Sequence, residues 1–212
     1  MKFRKLCGNQ KNILNLIKES KMVVCLTGAH SCGKSTLVEF FRGKEGFECI
    51  DSVTRSTISK EDRKVDGVEN LDAAQYAILD NIGKATIEIV KRNAEDPKKV
   101  YLLDRCAFDF IAYSRCFHKK GLVSDECMYA IEHICKDYWK YYDLVCYLGI
   151  EFPIVADGVR SEDEVLRKQV DSEIHKQILW NEVKAIQLYG PVLKRVEDIQ
   201  DAINSIWSEE RN

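Results

Sequence analysis

The feature that most constrains the fold is a glycine-containing motif near the start of the chain. Residues 22–37 read MVVCLTGAHSCGKSTL, and residues 28–35 match the pattern G-x-x-x-x-G-K-[ST] at every fixed position. The apolar residues before the motif predict a buried strand, and Leu37, Phe40 and Phe41 lie on one side of a predicted helix after it. A strand, a glycine loop and a helix in this order predict a phosphate-binding loop, the alternative being an ordinary glycine-rich turn.

The residue types in this loop suit a triphosphate. Gly28 and Gly33 allow a tight turn that brings backbone N–H groups close to phosphate oxygens. The positive end of the helix dipole points to the same place. We expect Lys34 to reach the β and γ phosphates and Ser35 to bind Mg²⁺. The predicted ATP-binding residues of the loop are Gly28, His30, Ser31, Cys32, Gly33, Lys34, Ser35 and Thr36.

Length and composition limit the remaining possibilities. The 212 residues suit a single domain over residues 1–212, and a net charge of -2 gives no general attraction to nucleic acids or acidic membranes. No apolar run has the length of a membrane span, and no apolar core of an export signal follows the basic N-terminus. The nine cysteines include no C-x-x-C pair, so we expect reduced thiols in the cytoplasm.

Two further predicted strands end in an aspartate. One strand covers Phe47 to Ile50 and precedes Asp51, and another begins at Lys99 and precedes Asp104. Ligands bind outside the carboxyl ends of parallel strands, so both carboxylates are expected at the phosphate site. Either would accept a proton from an attacking hydroxyl or orient Mg²⁺. We predict both as catalytic and Asp104 as the metal-binding one, while the sequence leaves open which is the base.

The arginines beside these carboxylates favour transfer to a bound acceptor over hydrolysis. Remodelling ATPases place a glutamate after the strand-ending aspartate to polarise water, whereas this chain has Arg105. A guanidinium binds phosphate or carboxylate well and activates water poorly. We therefore predict Arg105 to be catalytic, and Asp51, Arg55, Gln75 and Arg105 to bind the acceptor. Ordinary turn or helix-surface positions are the alternative for these residues.

A helical lid is expected at about residues 153–175. Ser161 and Glu164 form a capping-box pattern that predicts the start of a helix there. In small phosphotransferases the arginines of such a lid close over the transferring phosphate. We therefore predict Arg160 to be catalytic and Arg167 to bind ATP, the alternative being a solvated, charged helix face.

These segments together resemble the P-loop proteins grouped around the ribosylnicotinamide kinase domain of NadR, often described as AAA or ATP/GTP-binding domains. The resemblance lies in GAHSCGKST at 28–36, DSVTR at 51–55, Gln75, LLDRCAFDFIAYS at 102–114 and EFPIVADGVRS at 151–161. The last segment is closer to a phage-type subgroup. The resemblance implies an α/β P-loop NTPase fold, a three-layer sandwich with a parallel five-stranded sheet, helices on both faces and a helical lid. It also implies ATP and Mg²⁺ as cofactors.

The sequence therefore predicts an ATP-dependent phosphotransferase acting on a nucleoside-, nucleotide- or riboside-like acceptor in the cytoplasm, that of the host if the protein is phage-encoded. One alternative is a nucleotide-binding switch or scaffold with slow hydrolysis, although no [NT]-K-x-D guanine signature follows a predicted strand. Another is a polynucleotide 5′-end kinase, against which the lack of a basic stripe argues. The acceptor, the preference between ATP and GTP, and the oligomeric state, with a homodimer as one option, stay open.

Overall fold

A single parallel sheet organises the computed structural model of the chain, which describes residues 22–52, 70–95, 99–154 and 163–209. Its strand order is β2-β3-β1-β4-β5. The strands are β1 (Met22–Thr27), β2 (Phe47–Ile50), β3 (Val100–Asp104), β4 (Leu144–Leu148) and β5 (Ala185–Leu188). The predicted five-stranded parallel sheet is confirmed.

Six α-helices accompany the strands within the described ranges. They are α1 (Lys34–Phe41), α2 (Asp72–Glu95), α3 (Ala107–Lys119), α4 (Asp125–Cys135), α5 (Glu164–Trp180) and α6 (Val192–Glu209). No helix in these ranges has both the length and the apolar character needed to cross a membrane.

Two helix boundaries differ from the sequence prediction. The sequence of residues 124–141 predicts one continuous helix, but α4 ends at Cys135 and a 3-10 turn follows at Trp139–Tyr141. The ring of Trp139 stacks on Phe108 with 5.4 Å between centroids, so tertiary packing of aromatic side chains outweighs the continuation of the helix. The N-cap of α5 is Asp163, whereas the predicted cap, Ser161, lies outside the described residues.

The core consists of two layers, one on each face of the sheet. Met22, Val24 and Leu26 pack with apolar residues of α1 and α6 on one face. Val23 and Cys25 pack with residues of α2 and α3 on the other face. Side chains alternate between the faces of a strand, so a strand covered on both sides reads as the continuous apolar run seen in the sequence. Helices on both faces, as predicted, complete a three-layer sandwich.

The strand register brings the predicted site residues to one edge of the sheet. Leu26 of β1 lies opposite Asp104 of β3, and Ile50 of β2 lies opposite Leu103. Asp51 therefore follows β2 at the level of Asp104. The carboxyl ends of β1, β2 and β3 thus place the glycine loop and two carboxylates side by side.

Candidate active site

The phosphate loop joins β1 to α1 through a backbone that only certain residues tolerate. The φ angles are +150° at Gly28, +60° at Ser31 and +91° at Gly33. A Cβ atom at Gly28 would overlap the carbonyl oxygen of Leu148 on β4, so this glycine also permits the close approach of two chain segments. Gly33 is the N-cap of α1 and provides no side-chain cap, so the helix N-terminus faces the loop as an anion-binding end.

Lys34 lies inside the curve of this loop. Its Nζ atom donates to the carbonyl oxygens of Gly28 (2.5 Å) and Ala29 (2.6 Å) and lies 4.0 Å from Asp109 Oδ1. Burial, followed by the proximity of Arg105, lowers the pKa of Lys34 to about 8, whereas Asp109 opposes this shift. Phosphate oxygens in the loop would favour the charged ammonium, because an opposite charge nearby stabilises it.

Ser35 and Asp104 form a pair of oxygen donors beside Lys34. The Ser35 hydroxyl donates to Asp104 Oδ2 at 3.2 Å, and the Asp104 side chain is only 4% exposed. Adjacent oxygen ligands of an octahedral Mg²⁺ lie about 3 Å apart, so these two atoms suit neighbouring ligand positions. Within the described ranges no group of three or more His, Cys, Asp or Glu side chains could hold a metal ion. Phosphate and water oxygens would therefore have to supply the remaining ligands.

Arg105 adopts a strained backbone conformation directly after β3. Its φ is +84°, a region that costs a residue with a side chain about 1–3 kcal/mol. One guanidinium nitrogen lies 3.5 Å from Asp109 Oδ1, and the guanidinium carbon lies 5.3 Å from the centroid of the Tyr113 ring. Burial alone would lower the pKa of Arg105, but attraction to Tyr113, Asp109 and Asp104 raises it overall, so the residue stays cationic.

Asp109 is a central residue of this site, whereas the sequence offers it only as a candidate for the acceptor pocket, with a core or surface position as the alternative. It is 2% exposed, and its carboxylate accepts from the backbone N–H groups of Gly28 (3.3 Å) and Cys106 (3.1 Å). It thereby connects α3 to the phosphate loop while facing both Lys34 and Arg105. The local signal for its position at the start of α3 is its spacing of three residues from Cys106, because the pair forms the capping box of this helix.

Asp51 lies on the opposite, open side of the same edge. Its side chain is 77% exposed and pairs with Arg42 at 2.6 Å. Asp51, Asp104 and Arg105 line one open cleft, whose remaining walls are mostly apolar and come largely from β2, β3 and α2. Apolar walls beside charged side chains suit a small organic molecule with a polar end.

Of the two remaining predicted acceptor residues, Arg55 and Gln75, the structure describes only Gln75. Gln75 is 4% exposed, and its Oε1 atom accepts from the Ser114 hydroxyl at 2.8 Å. This bond ties α2 to α3 and engages the side chain of a residue that was predicted to bind the acceptor. Arg55 and Arg160 lie outside the described residues.

The remaining loop residues differ in their environments. His30 donates its backbone N–H to the Tyr113 hydroxyl at 3.1 Å, and its Nδ1 atom lies 2.9 Å from the same oxygen.

Burial raises the pKa of the Cys32 thiol although Lys34 and Arg167 oppose the shift, so a role as a thiolate nucleophile is not favoured. Ser31 and Ser35 are half-buried and Thr36 is exposed.

Two arginines contact the phosphate loop from outside it. Arg167 on α5 is fully buried, and its guanidinium donates to the carbonyl oxygens of His30 (3.1 Å), Ser31 (3.2 Å) and Phe152 (2.8 Å). Arg195 on α6 donates to the carbonyl oxygen of Cys32 at 2.9 Å. Arg167 was predicted to reach the nucleotide, and Arg195 was not predicted at all. No local pattern indicates Arg195, because it lies 163 positions from Cys32 in the sequence.

Solved structures share this arrangement of strands and helices. Deoxyadenosine kinase from M. mycoides superposes with a TM-score of 0.63 at 16% identity, over 87% of this chain and 100% of that chain. NadR in complex with NAD and AMP-PNP superposes with a TM-score of 0.63 at 19% identity, over 88% of this chain and 49% of that chain. NadR in complex with NR superposes with a TM-score of 0.62 at 17% identity, over 88% of this chain and 51% of that chain. This chain thus spans about half the length of NadR, and at these identities the likeness shows the fold.

The sequence itself gives a family assignment. A comparison with curated proteins finds no match. Residues 23–195 match a protein family described as an AAA domain. The predicted resemblance to the NadR group is confirmed, while the phage-type subgroup stays a prediction. Because the family match covers most of the chain and includes the phosphate loop, the protein belongs to the AAA domain family and has a P-loop kinase-like fold.

Proposed function

We propose that the protein transfers the γ-phosphate of ATP to a small acceptor with a nucleoside-, nucleotide- or riboside-like structure. The observation that carries this proposal is the open cleft beside the phosphate loop, which Asp51, Asp104 and Arg105 line. A hydrolase needs room only for water and a group that activates it. A cleft with mostly apolar walls and an arginine in its lining suits a bound acceptor better.

The donor side of the site consists of the loop, Lys34, Ser35 and Asp104. Backbone N–H groups and Lys34 would bind the phosphates, and Ser35 with Asp104 would hold Mg²⁺. When bound, Mg²⁺ supplies neutralisation of phosphate charge. The protein contributes mainly position and fixed positive charge, which is what phosphoryl transfer requires.

Asp51 is the better candidate for the base. Asp104 is buried and engaged with Ser35, whereas the exposed Asp51 carboxylate borders the acceptor cavity. Asp51 would take the proton of the acceptor hydroxyl as the hydroxyl oxygen bonds to the γ-phosphorus and the bond to the β-phosphate oxygen breaks, releasing ADP. Arg105 would bind an anionic part of the acceptor or the transferring group. Arg55, Gln75 and Arg160 keep their predicted roles as acceptor and lid residues.

The structural relatives support this class of reaction. One is a deoxyadenosine kinase, and NadR was solved with AMP-PNP and with NR. We extend ATP-type donors and nucleoside-like acceptors to this chain as part of the proposal. We also place the protein in a reducing, cytoplasmic setting, which is consistent with eight cysteines in the described ranges that form no disulfide.

The test is release of ADP from ATP and Mg²⁺, with and without pooled acceptors: nucleosides, nucleoside monophosphates and nicotinamide riboside. The Lys34→Ala and Asp104→Asn variants serve as controls. Release that the acceptors stimulate, and that both variants lose, would establish a kinase, and division of the pool would identify the substrate.

Other outcomes would contradict the proposal. Slow ADP release that no acceptor stimulates, in a protein that binds ATP well, would favour a nucleotide-dependent switch. Labelling of an oligonucleotide 5′ end would instead show a polynucleotide kinase.

A further inference from the structure

Every carbonyl group along the phosphate loop, from residue 28 to residue 32, accepts a hydrogen bond from a cationic side chain. Lys34 donates to the carbonyl oxygens of Gly28 and Ala29. Arg167 donates to the carbonyl oxygens of His30 and Ser31, and Arg195 to that of Cys32. The two arginines come from different helices, α5 and α6, and both are buried, with 0% and 2% of the residue exposed.

Arg195 is itself held on every side. Its Nε donates to the carbonyl oxygen of Gly190 at 2.8 Å, and its Nη2 pairs with Glu151 Oε1 at 3.1 Å. The second oxygen of Glu151 accepts from the N–H of Gly190 at 2.9 Å. Arg195 thereby joins the segments after β4 and β5 to the phosphate loop through one planar guanidinium.

Arg167 makes the corresponding connection from α5. Besides the two loop carbonyls, it donates to the carbonyl oxygen of Phe152 at 2.8 Å and pairs with Glu164 at 3.2 Å. Removing a guanidinium from water is costly unless its donors are satisfied, so contacts of this number and burial fix its position.

These contacts determine where the N–H groups of the loop point. A peptide unit is planar and trans, so the C=O of one residue and the N–H of the next point in opposite directions. With the carbonyl groups of His30, Ser31 and Cys32 bonded to arginines, the N–H groups of Ser31, Cys32 and Gly33 are directed to the other side. A row of N–H groups turned the same way forms an anion-binding concavity.

We propose that Arg167 and Arg195 are positioning residues that orient the phosphate loop by holding its carbonyl groups, and that neither contacts the nucleotide. For Arg167 this differs from the direct contact expected of a lid arginine. The inference rests on the proposed function in one respect only, namely that the loop binds a phosphate chain.

The experiment measures binding of ATP, ADP and inorganic tripolyphosphate, each with Mg²⁺, by titration calorimetry. The variants are Arg167→Lys and Arg195→Lys, because an ammonium keeps the charge and loses the fork that spans separate carbonyl groups. We expect each variant to bind all three probes about tenfold more weakly, by the same factor for each probe. If a lysine variant does not fold, Arg167→Gln or Arg195→Gln takes its place, because glutamine keeps a hydrogen-bond donor without a buried charge.

A matched control keeps the contacts of both loop arginines intact. Arg115→Lys alters an arginine that pairs with Glu132 and Glu173 away from the loop. It should lower thermal stability modestly and leave the affinity of folded protein for each probe within about twofold of the unmodified chain.

Each other outcome overturns the inference in a recognisable way. A loss of affinity for ATP alone would show a direct contact with the γ-phosphate. A loss of affinity for ATP and ADP, with the affinity for tripolyphosphate unchanged, would show a contact with the nucleoside. Unchanged affinity in folded arginine variants would reduce both residues to structural contacts. If the unmodified protein binds none of the probes, the proposed function is wrong as well. This outcome is distinct from the others, because they all require an unmodified protein that binds the probes.

Discussion

The ends of β3 and β2 carry the same sequence pattern, an apolar strand followed by an aspartate, but the two aspartates differ in burial and in their partners. Asp104 follows a strand with neighbours on both sides and is 4% exposed, next to Ser35. Asp51 follows an edge strand and is 77% exposed, paired only with Arg42 among the ion pairs of the described residues. Position in the sheet, rather than local sequence, decides whether such a carboxylate is fixed or accessible.

This difference divides the site into a rigid and an open part. The phosphate side contains buried ionic side chains that contact the loop backbone: Lys34, Asp109, Arg167 and Arg195. The side proposed for the acceptor contains an exposed carboxylate and a cleft with mostly apolar walls. Such a division would fix the donor phosphates precisely enough for transfer while allowing the acceptor pocket to vary.

The largest effect is expected from Asp104→Asn on the rigid side. The amide keeps the shape of the side chain and removes the charge that would hold Mg²⁺ and compensate Lys34 and Arg105. We expect kcat/KM of acceptor phosphorylation to fall about 1,000-fold, with the fold retained. Steady-state kinetics with circular dichroism as a check on folding would measure this, and a loss below tenfold would remove Asp104 from the reaction.

Gly28→Ala tests the rigidity of the loop itself. The added methyl group would meet the Leu148 carbonyl oxygen, and the φ of +150° is unsuited to alanine. We expect a loss of about 3 kcal/mol in the free energy of unfolding, measured by urea denaturation. Gly43→Ala is the matched control, because it also has a positive φ, +76°, but no atom within 4 Å of the added group, and should lose only about 1 kcal/mol. Equal losses would show that strain, and not close packing, sets the requirement at Gly28.

Asp51→Asn tests the open side. If Asp51 is the base, kcat should fall about 100-fold while the affinity for ATP stays unchanged. The free energy of unfolding should change by less than about 0.5 kcal/mol, since exposed ion pairs contribute little. Arg42→Gln, which removes only the ion pair, should leave kcat within about threefold of the unmodified protein. A normal kcat in Asp51→Asn would return the role of base to Asp104.

The sequence predicted the parts of this site that depend on local spacing. The loop, Lys34, Ser35 and the two strand-ending carboxylates all follow from a motif or from the end of an apolar run. The partners of Arg167 were not predictable in this way, because a charged residue on a helix gives no sign of whether it faces a phosphate or a backbone carbonyl. Asp109 and Arg195 reach the loop only through the tertiary fold, Arg195 from 163 positions away.

The smallest predicted effect concerns the start of α5, the helix that carries Arg167 to the rigid side. Asp163 is the N-cap, and its Oδ1 accepts from the N–H groups of Val165 and Leu166, both at 2.9 Å. Asp163→Ala should lower the free energy of unfolding by about 1 kcal/mol, the usual value of such a cap. Urea denaturation at neutral pH would measure the loss.

The pH dependence identifies the cap as the cause. The hydrogen bond from the N–H of Leu166 is the main reason why the pKa of Asp163 lies below its ordinary value, despite the opposing effect of burial. A carboxylate whose pKa is lower in the folded state contributes stability that is present above its unfolded pKa of about 4 and is lost as the pH falls through the folded value. The deficit of Asp163→Ala should therefore shrink in acid. Asp163→Asn, which caps without a charge, should be nearly as stable as the unmodified protein at neutral pH. A deficit of Asp163→Ala that does not change with pH would assign the loss to contacts other than the charged cap.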